Sequence, residues 1–381
     1  MRTTKGVNLF NRSASNSRLL SKFLPLVAPL ILAAQHANAQ TLQWATSYNG
    51  IPASALEEVE GVAVDNSGNV FATGLSGTKT IGSVIRTMKL DAKGNILWNV
   101  THSQASLCGG MWGRTSIALD ASGNLLVVGA QFTSGMDNWN PLLLKLSPSG
   151  AVLGTLLFNL GPFASLDAVA VDASGIYILG HNNPNNGNPH VVQTLKLAPG
   201  GTVLWSESST PATFWGTLGG IVVKGGTVYT AAGGRLTARD LQGDLLWEKD
   251  MILPNGGSPL AADAAGNLYL AAQNGVAKFD SAGNALGSIT ISGMVSALDL
   301  DTSGNIYVAG STPASSRSGS DILTQKYNAS GTLVWSTTYG KNGQYSDNGI
   351  AVTVRGGYVY VGGSKYNKDL DMCTLKYTAG N

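Results

Sequence analysis

A repeat runs along most of the chain and constrains its fold more than any other feature. The segment GVAVDNSGNVFATG at 61–74 returns in six weaker copies, among them SIALDASGNLLVVG at 116–129 and ALDLDTSGNIYVAG at 297–310. A second motif alternates with the first, as in TMKLDAKGNILW at 87–98 and TQKYNASGTLVW at 324–335. A long repeat period is typical of solenoids, propellers and arrays, so it decides the fold before any local pattern does.

Each repeat unit contains four apolar runs of strand length with alternating character. Turns of the form Asp-x-Ser-Gly-Asn or Asp-x-x-Gly-Asn join them in pairs, because Gly takes the left-handed conformation and Asp or Asn bonds the local backbone. Seven units of four antiparallel strands predict an all-β fold, a seven-bladed β-propeller. The last unit has only three such runs, and TLQWATSYNG at 41–50 matches TLVWSTTYG at 332–340. We therefore expect the N-terminal strand to complete the last blade and to leave no open edge there.

The first 39 residues have the pattern of a secretory signal peptide. Basic residues precede a short apolar run at 23–34, and Ala37-Asn38-Ala39 supplies small residues for cleavage. The run is too short for a membrane span, so none is expected in the mature chain. The predicted domains are a signal peptide at 1–39 and one propeller at 40–381, in a secreted or periplasmic protein that is a monomer.

Net charge argues against a nucleic-acid partner. The chain has 24 Lys and Arg and 22 Asp and Glu, and the signal segment holds five of the basic residues and none of the acidic ones. The mature chain therefore carries a net charge of −3 and lacks the clustered positive charge that displaces counterions from nucleic acids.

The paired motifs D-x-S-G-N-x-Y-V-x-G and x-x-K-Y-N-x-x-G-x-x-x-W resemble the SBBP repeat, a seven-bladed propeller repeat of secreted bacterial proteins. The resemblance spans 42–381 and is weakest in blades four and five. It implies the propeller fold and little about function, because the family is defined by its repeat.

Two residue types recur at fixed places in the repeat, and both are predicted to be structural. The first is a tryptophan of the outermost strand, expected to pack between neighbouring blades, at Trp44, Trp98, Trp205, Trp247 and Trp335. The second is a cation of the third strand, at Lys89, Lys145, Lys196, Arg239, Lys278, Lys326 and Lys376. We expect the cations to pair with an Asp that ends the first strand in most blades, at Asp65, Asp120, Asp172, Asp263 and Asp301, because pairing compensates partly buried charge.

The sequence does not indicate a set of catalytic residues, a metal centre or a cofactor site. The turn aspartates supply one carboxylate each, whereas a calcium loop needs several converging oxygens. His181 and His190 bracket a polar loop without a third ligand and are predicted to be surface loop histidines. Whether Cys108 and Cys373 form a disulfide is left open. Phosphate-loop, zinc-protease and nucleophile-elbow motifs are missing from the sequence.

The candidate binding surface is the face that carries the connections after each second strand and between blades, because these are predicted to be long and irregular. Function commonly lies in variable loops on a rigid scaffold. Three tryptophans break the repeat there, with charged residues beside them and carboxylates near the starts of inner strands. The predicted binding residues are Glu60, Trp112, Arg114, Asp137, Trp139, Asp167, Trp215 and Asp347.

These features favour a non-enzymatic propeller that binds an extracellular glycan, peptide or protein. One alternative is an extracytoplasmic hydrolase or lyase that uses carboxylates such as Glu60, Asp167 and Asp347 at the channel mouth. Another is a quinoprotein-like enzyme, suggested by G-x-x-x-W in the outer strands. A scarcity of His weighs against both enzymes, and seven blades without an evident calcium and quinone cluster weigh against the quinoprotein.

Overall fold

Short strands in groups of four make up the structure. The computed structural model describes residues 40–50, 55–78, 82–102, 116–132, 139–161, 164–182, 191–210, 219–251, 259–272, 274–314, 319–340 and 345–380. The described residues form 28 β-strands and no helix. None of them therefore belongs to a helix that could cross a membrane.

Six of the seven sheets follow chain order. Blade 1 contains β2 (Ala55–Val64), β3 (Val70–Thr78), β4 (Gly82–Leu90) and β5 (Ile96–His102). Blade 2 contains β6 (Ser116–Leu119), β7 (Leu125–Phe132), β8 (Trp139–Leu146) and β9 (Val152–Leu157). Blade 3 contains β10 (Ser165–Asp172), β11 (Gly175–Asn182), β12 (Val191–Leu197) and β13 (Val203–Ser209). Blade 4 contains β14 (Gly220–Lys224), β15 (Thr227–Ala232), β16 (Arg235–Asp240) and β17 (Leu245–Asp250). Blade 5 contains β18 (Leu260–Ala262), β19 (Leu268–Ala272), β20 (Gly275–Phe279) and β21 (Ala285–Thr290). Blade 6 contains β22 (Met294–Leu300), β23 (Ile306–Ser311), β24 (Ile322–Tyr327) and β25 (Leu333–Tyr339).

Blade 7 joins the two ends of the described chain. It contains β26 (Asn348–Arg355), β27 (Tyr358–Tyr366) and β28 (Leu370–Thr378), and β1 (Leu42–Tyr48) is its outermost strand. β1 runs antiparallel to β28, with Trp44 opposite Lys376 and Tyr48 opposite Met372. The first strands of consecutive blades contact one another around the ring, and β2 of blade 1 contacts β26 of blade 7. The seven-bladed β-propeller and the closing role of the N-terminal strand, both predicted from the repeat, are confirmed.

The hydrophobic core is divided among the seven seams between blades. Successive side chains of a strand point to opposite faces of its sheet. In β7, Leu125 and Val127 therefore pack against blade 1, while Leu126 and Val128 pack against blade 3. Because both faces of this strand are buried, its sequence is a continuous run of apolar residues.

The repeated aspartates organise the turns at the lower face, which we define as the side of the ring that carries the Asp-x-x-Gly-Asn turns. In the first of these turns, Asp65 Oδ1 accepts hydrogen bonds from the backbone N–H groups of Ser67 and Asn69, at 2.9 and 2.8 Å. Asp65 Oδ2 accepts a third bond from Asn69 Nδ2 at 2.7 Å. The turn role predicted for these carboxylates is confirmed.

The repeated tryptophans pack across the seams, as predicted. Trp205 of blade 3 donates from Nε1 to the carbonyl of Leu241 in the turn of blade 4, at 3.0 Å. Lys196 of the same blade donates from Nζ to that same carbonyl at 2.9 Å. One carbonyl thus receives two donors from the neighbouring blade. The same arrangement joins Trp44 and Lys376 to Ala92, and Trp98 and Lys89 to Pro148.

The predicted pairing of repeated cations with first-strand aspartates is correct in blades 1 and 2 only, among the ion pairs of the described residues. Lys145 lies 2.9 Å from Asp120, and Lys89 lies 3.9 Å from Asp65. In blade 6, by contrast, Lys326 lies over the ring of Tyr307, 5.5 Å from its centroid, and donates to the carbonyl of Gly380.

In blades 5 and 6, a tyrosine opposite the cation in the second strand accounts for the difference. Tyr307 stands opposite Lys326, and its hydroxyl donates to Asp301 Oδ2 at 3.0 Å, so the carboxylate already has a partner. Tyr269 does the same for Asp263 in blade 5. Blades 1 and 2 have Phe71 and Leu126 at this position. These side chains have no hydroxyl that could occupy the carboxylate, and Lys89 lies over the Phe71 ring, 4.9 Å from its centroid, as well as near Asp65.

One of the two cysteines belongs to the core of blade 7. Cys373 is fully buried in β28, and burial raises the pKa of its thiol to about 12. Cys108 lies outside the described residues, so the question of a disulfide stays open.

Candidate functional site

The candidate surface is the upper face, which we define as the side of the ring that carries the connections after each second strand and between blades. The sequence predicted that these connections are long and irregular. This is wrong for blades 4 and 5, where only Gly233–Gly234 and residues 273–274 separate the second strand from the third. The connections of blades 1 and 7 have three residues each, and the longer connections after second strands are in blades 2, 3 and 6.

Five of the eight predicted binding residues have no described side chain. Trp112, Arg114, Asp137 and Trp215 lie outside the described residues. Trp139 begins β8, and its side chain is outside the described part. Their role in binding stays a prediction. Glu60, Asp167 and Asp347 are described, and each belongs to a different blade.

Glu60 and Asp167 occupy equivalent positions in two inner strands. In blade 1 the ladder between β2 and β3 shifts by one residue at Glu60, and in blade 3 the ladder between β10 and β11 shifts at Asp167. Such a β-bulge leaves one residue without an opposite partner and re-aims its side chain. Both side chains are nevertheless buried, at 8 % and 4 % exposure.

Asp167 forms an ion pair with His181 inside blade 3. His181 Nδ1 lies 2.7 Å from Asp167 Oδ2, and both side chains are almost fully buried. Burial raises the pKa of Asp167. Burial acts to lower the pKa of His181, but the charge and hydrogen bond of Asp167 outweigh it and raise that pKa. His181 was predicted to be a surface loop histidine, and this is wrong because it lies on β11 with its ring turned to the carboxylate.

A second buried carboxylate lies at the upper end of the seam between blades 7 and 1. Glu57 is fully buried and accepts hydrogen bonds from Ser76 Oγ at 2.7 Å and from the backbone N–H of Gly50 at 2.8 Å. Burial raises the pKa of Glu57, and Ser76, Gly50 and Arg86 act in the opposite direction. These contacts tie the segment after β1 to blade 1, so the group has a structural role in ring closure.

The upper face contains a cavity of about 570 Å³ at blades 5, 6 and 7. The connection from β21 to β22 forms one side, and the ends of β23 and β26 form another. None of the described lining residues is charged. They are Asn274, Thr290, Ile291, Gly293, Met294, Ser311, Thr312, Pro313, Ala314, Ser320, Ser346 and Asn348.

Asn348 has its amide nitrogen available for a ligand. Its Oδ1 accepts hydrogen bonds from Ser311 Oγ at 2.9 Å and from Ser320 Oγ at 3.5 Å, which fixes the orientation of the amide. None of the described residues accepts a hydrogen bond from Asn348 Nδ2. A side-chain amide carries two N–H donors on that nitrogen. The arrangement can therefore present N–H donors to a carbonyl or hydroxyl oxygen in the cavity.

Asp347 lies beside the cavity but does not line it. Ser346 and Asn348 line the cavity, and Asp347 between them bonds the opposite side, where its Oδ1 accepts from the backbone N–H of Tyr366 at 2.7 Å. Burial raises its pKa, with opposition from the Tyr366 N–H and Lys365. Tyr345 also faces this side and stacks on Tyr366, with 3.8 Å between ring centroids.

Among the predicted binding residues, Asp347 lies next in sequence to two lining residues, and the sequence did not predict the cavity itself. Its lining comes from separate segments of three blades, and its Ser, Thr and Asn residues are ordinary in loops. The sequence features that could have indicated the cavity are three departures from the repeat at the upper ends of neighbouring blades. They are Asn274, Met294 and Asn348.

The fold and the cavity define the chain as a seven-bladed β-propeller with a neutral pocket on its upper face. Residues 82–314 match the family described as "Outer membrane protein assembly factor BamB", and the chain belongs to that family. No curated protein matches the chain.

Of the two solved structures compared with this chain, the first supports the fold alone. The WD40 domain of Pan2 from Neurospora crassa is 10 % identical, with a TM-score of 0.55, over 91 % of this chain and 97 % of that one. A protein of unknown function from Bacteroides caccae is 14 % identical, with a TM-score of 0.37, over 74 % of this chain and 81 % of that one.

Proposed function

We propose that this chain is a non-enzymatic interaction propeller of the cell envelope that binds an uncharged, extended segment of a partner protein in the upper cavity. One observation carries the proposal. The cavity of about 570 Å³ has an uncharged described lining with an oriented amide donor in it. Ligand sites are typically concave, largely apolar and equipped with a few placed polar groups.

The chemistry of the lining favours a polypeptide among the ligands that the sequence left open. Ile291 and Met294 supply apolar contact, and methionine adapts its shape to different partners. Asn348 Nδ2 is suited to a peptide carbonyl, and the hydroxyls of Thr290 and Thr312 can bond further main-chain groups. The family description, an assembly factor for outer membrane proteins, agrees with a protein partner.

The wider upper face belongs to the same proposal. Trp112, Arg114, Asp137, Trp139 and Trp215 would extend the contact beyond the cavity, since aromatic and Arg side chains dominate binding energy at interfaces. Glu60 and Asp167 would then support the scaffold from their buried positions. The assignment to SBBP repeats within the propeller families is part of this proposal, and so is export through cleavage after Ala39.

Binding is tested with residues 40–381 on a peptide array and a neutral glycan array. We expect binding to uncharged peptides. Met294→Lys should weaken it at least tenfold, because the substitution places a charge at the edge of a neutral cavity. Leu286→Lys is the control, since Leu286 and Met294 are equally exposed, at 53 % and 52 %, and Leu286 lies on the outer strand of blade 5.

Binding to glycans and to no peptide would show that the ligand is a saccharide and would contradict the proposed peptide ligand. Equal binding by the two lysine variants would show that the cavity is not the site. Export is measured separately, by N-terminal sequencing of the envelope or medium fraction. It should begin at Gln40, and an intact Met1 in that material would contradict the signal peptide.

A further inference from the structure

Two carboxylates converge beside the upper cavity. Asp321 directly precedes β24 of blade 6, and Asp347 directly precedes β26 of blade 7. Their side chains meet at Gly340, the residue that follows β25. A Cβ on this glycine would lie 2.0 Å from Asp321 Oδ1 and 2.8 Å from Asp347 Oδ2. The two oxygens therefore approach the same point, and only a residue without a side chain leaves room for both.

The converging oxygens have no hydrogen-bond partner among the described residues. Asp347 Oδ1 accepts a bond from the backbone N–H of Tyr366, but no described group donates to Asp347 Oδ2 or to the carboxylate of Asp321. Asp347 is only 5 % exposed, yet Oδ2 keeps contact with solvent. A mostly buried carboxylate is costly to leave without a partner, so this gap is suited to a cation.

Lys365 does not fill the gap. Its Nζ donates to the hydroxyl of Tyr339 at 3.2 Å and lies over the Tyr339 ring, 4.7 Å from its centroid. Among the described residues it forms no ion pair with Asp321 or Asp347, and its charge acts on Asp347 from a longer distance. Two carboxylates thus face one lysine, which leaves net negative charge at this place.

An exposed aromatic ring adjoins the carboxylates. Tyr345 is 56 % exposed and stacks on Tyr366, with 3.8 Å between ring centroids and 14° between ring planes. The backbone of Tyr366 bonds Asp347, so the ring pair and this carboxylate form one unit. The face of a tyrosine ring attracts cations, and a guanidinium group both stacks on such a ring and donates paired hydrogen bonds to carboxylates.

These groups lie next to the upper cavity, across a narrow ridge of backbone. Ser320 and Ser346 line the cavity, whereas Asp321 and Asp347, which follow them in sequence, do not. The two segments of the ridge are bonded together, since the N–H of Asp347 donates to the carbonyl of Ser320 at 2.7 Å. An extended segment that leaves the cavity over this ridge therefore meets the carboxylates next.

We propose that Asp321, Asp347 and Tyr345 bind an arginine side chain of the partner segment, beside the uncharged residues that occupy the cavity. The proposal rests on the proposed function, because it assigns the arginine to the same segment. Charge complementarity selects the occupant, since a neutral or acidic residue at this place would leave both carboxylates without a partner.

The test uses residues 40–381 and a peptide array in which each uncharged core sequence carries arginine or citrulline at either end. Citrulline has nearly the shape of arginine and no charge. We expect the arginine peptides to bind at least tenfold more tightly, because hydrogen bonds between charged groups are the stronger ones. Asp321→Asn should remove this preference and leave the binding of citrulline peptides unchanged. Asp244→Asn is the matched control, since it removes the same charge from an exposed turn of the lower face and should retain the preference.

Gly340→Ala is a second variant, and it keeps the charge of the site. Its Cβ must displace the carboxylate of Asp321, so the preference for arginine should fall while citrulline peptides still bind. Melting temperatures are measured for all variants. Asp321→Asn should not lower the melting temperature, because it relieves repulsion between two like charges.

The outcomes separate this proposal from the proposed function. Equal binding of arginine and citrulline peptides, or an equal effect of Asp321→Asn and Asp244→Asn, would overturn the arginine site and leave peptide binding in the cavity standing. Binding of arginine peptides regardless of their core sequence, lost in Asp321→Asn, would support the arginine site and contradict the uncharged segment in the cavity. An array without any binding would contradict both.

Discussion

At the scale of single residues, the second-strand residue opposite the repeated lysine affects how that lysine meets the Asp of the first strand in blades 1, 2 and 6. Opposite Phe71 and Leu126, the repeated lysines lie 3.9 and 2.9 Å from the Asp of the first strand, and Lys89 also lies over the Phe71 ring, 4.9 Å from its centroid. Opposite Lys326, the phenol of Tyr307 donates to the carboxylate of Asp301, and the lysine lies over the Tyr307 ring. The ring face carries the negative end of the aromatic quadrupole, so it attracts the ammonium group in both blades.

Trp335 is the repeated tryptophan for which we expect the largest loss on truncation. It is buried, its Nε1 donates to the carbonyl of Ala379 at 3.0 Å, and its ring packs on Tyr307. Trp335→Ala should reduce the free energy of unfolding by about 3–5 kcal/mol, because it removes a large buried side chain from the seam between blades 6 and 7. Urea denaturation measures this loss. Trp335→Phe keeps much of the packing and should cost less, and equal stability of the alanine variant and the natural chain would contradict the seam role.

The buried pair of Asp167 and His181 predicts a pH dependence of stability. Asp167 holds the proton on His181 to a higher pH than the usual value of about 6.5. Above that pH the folded chain therefore binds more protons than the unfolded chain, and stability falls as pH rises. Below it the stabilisation from the pair is fully present.

The urea midpoint measured from pH 6 to 9 tests this. We expect the natural chain to lose stability across the range and the double variant Asp167→Asn/His181→Gln to lose less, since neither of its side chains titrates there. The urea midpoint of His181→Gln alone should fall furthest below that of the natural chain near pH 6, because the substitution leaves the buried Asp167 without its cation. Parallel curves for all three proteins would show that the pair does not control the pH dependence.

At the scale of elements, the turns of the lower face serve both their own blade and the next one. Gly243 has φ of +98° in the turn of blade 4, and a Cβ there would lie 2.9 Å from Cδ2 of Trp205 in blade 3. The glycine is thus required twice, by the left-handed backbone and by the tryptophan. This explains why the turn glycine and the outer-strand Trp recur together in the repeat.

Two glycine substitutions separate these requirements. Gly226 also has positive φ, at +78°, but a Cβ there would meet nothing within 4 Å. We expect Gly226→Ala to cost about 1–2 kcal/mol, the backbone penalty alone. Gly243→Ala should cost clearly more in the same urea denaturation experiment, because Trp205 must also move. Equal costs would mean that the Trp contact adds nothing.

Elements were predictable from this sequence where the determinants are local and repeated. The turn motif and the alternation around it indicate each strand pair, and the match of 41–50 to 332–340 identified the closing strand. The partner of Lys326 was not predictable from its own motif, since it depends on Tyr307 in another strand. His181 stands beside a polar loop in sequence, but the register of β10 and β11 brings Asp167 to it. The upper cavity needed the relative placement of three blades, which no local pattern contains.

At the scale of the whole molecule, the ring has one covalent gap, and noncovalent contacts of the N-terminal segment close it. β1 pairs with β28, Trp44 donates to Ala92 of blade 1, and Gln40 donates to Thr378 at 2.6 Å. Gly50 on the far side of β1 bonds the buried Glu57 of blade 1. One short segment thus holds the first and last blades together. Every other pair of neighbouring blades is joined by the continuous chain.

Deletion of residues 40–48 should therefore destabilise the whole ring. It removes β1, exposes the edge of β28 and uncovers part of the apolar seam between blades 7 and 1. Chain termini usually tolerate deletion unless they are paired in a sheet, and this one is paired. We expect a melting temperature at least 10 °C lower, together with aggregation on heating, because an open apolar strand edge recruits other chains.

Trp44→Ala is the graded control. It keeps the β1 ladder and removes the seam contact, so its melting temperature should fall between those of the natural chain and the deletion variant. If the deletion variant and the natural chain have the same melting temperature, blade 7 is stable with three strands, and the N-terminal strand does not hold the ring closed.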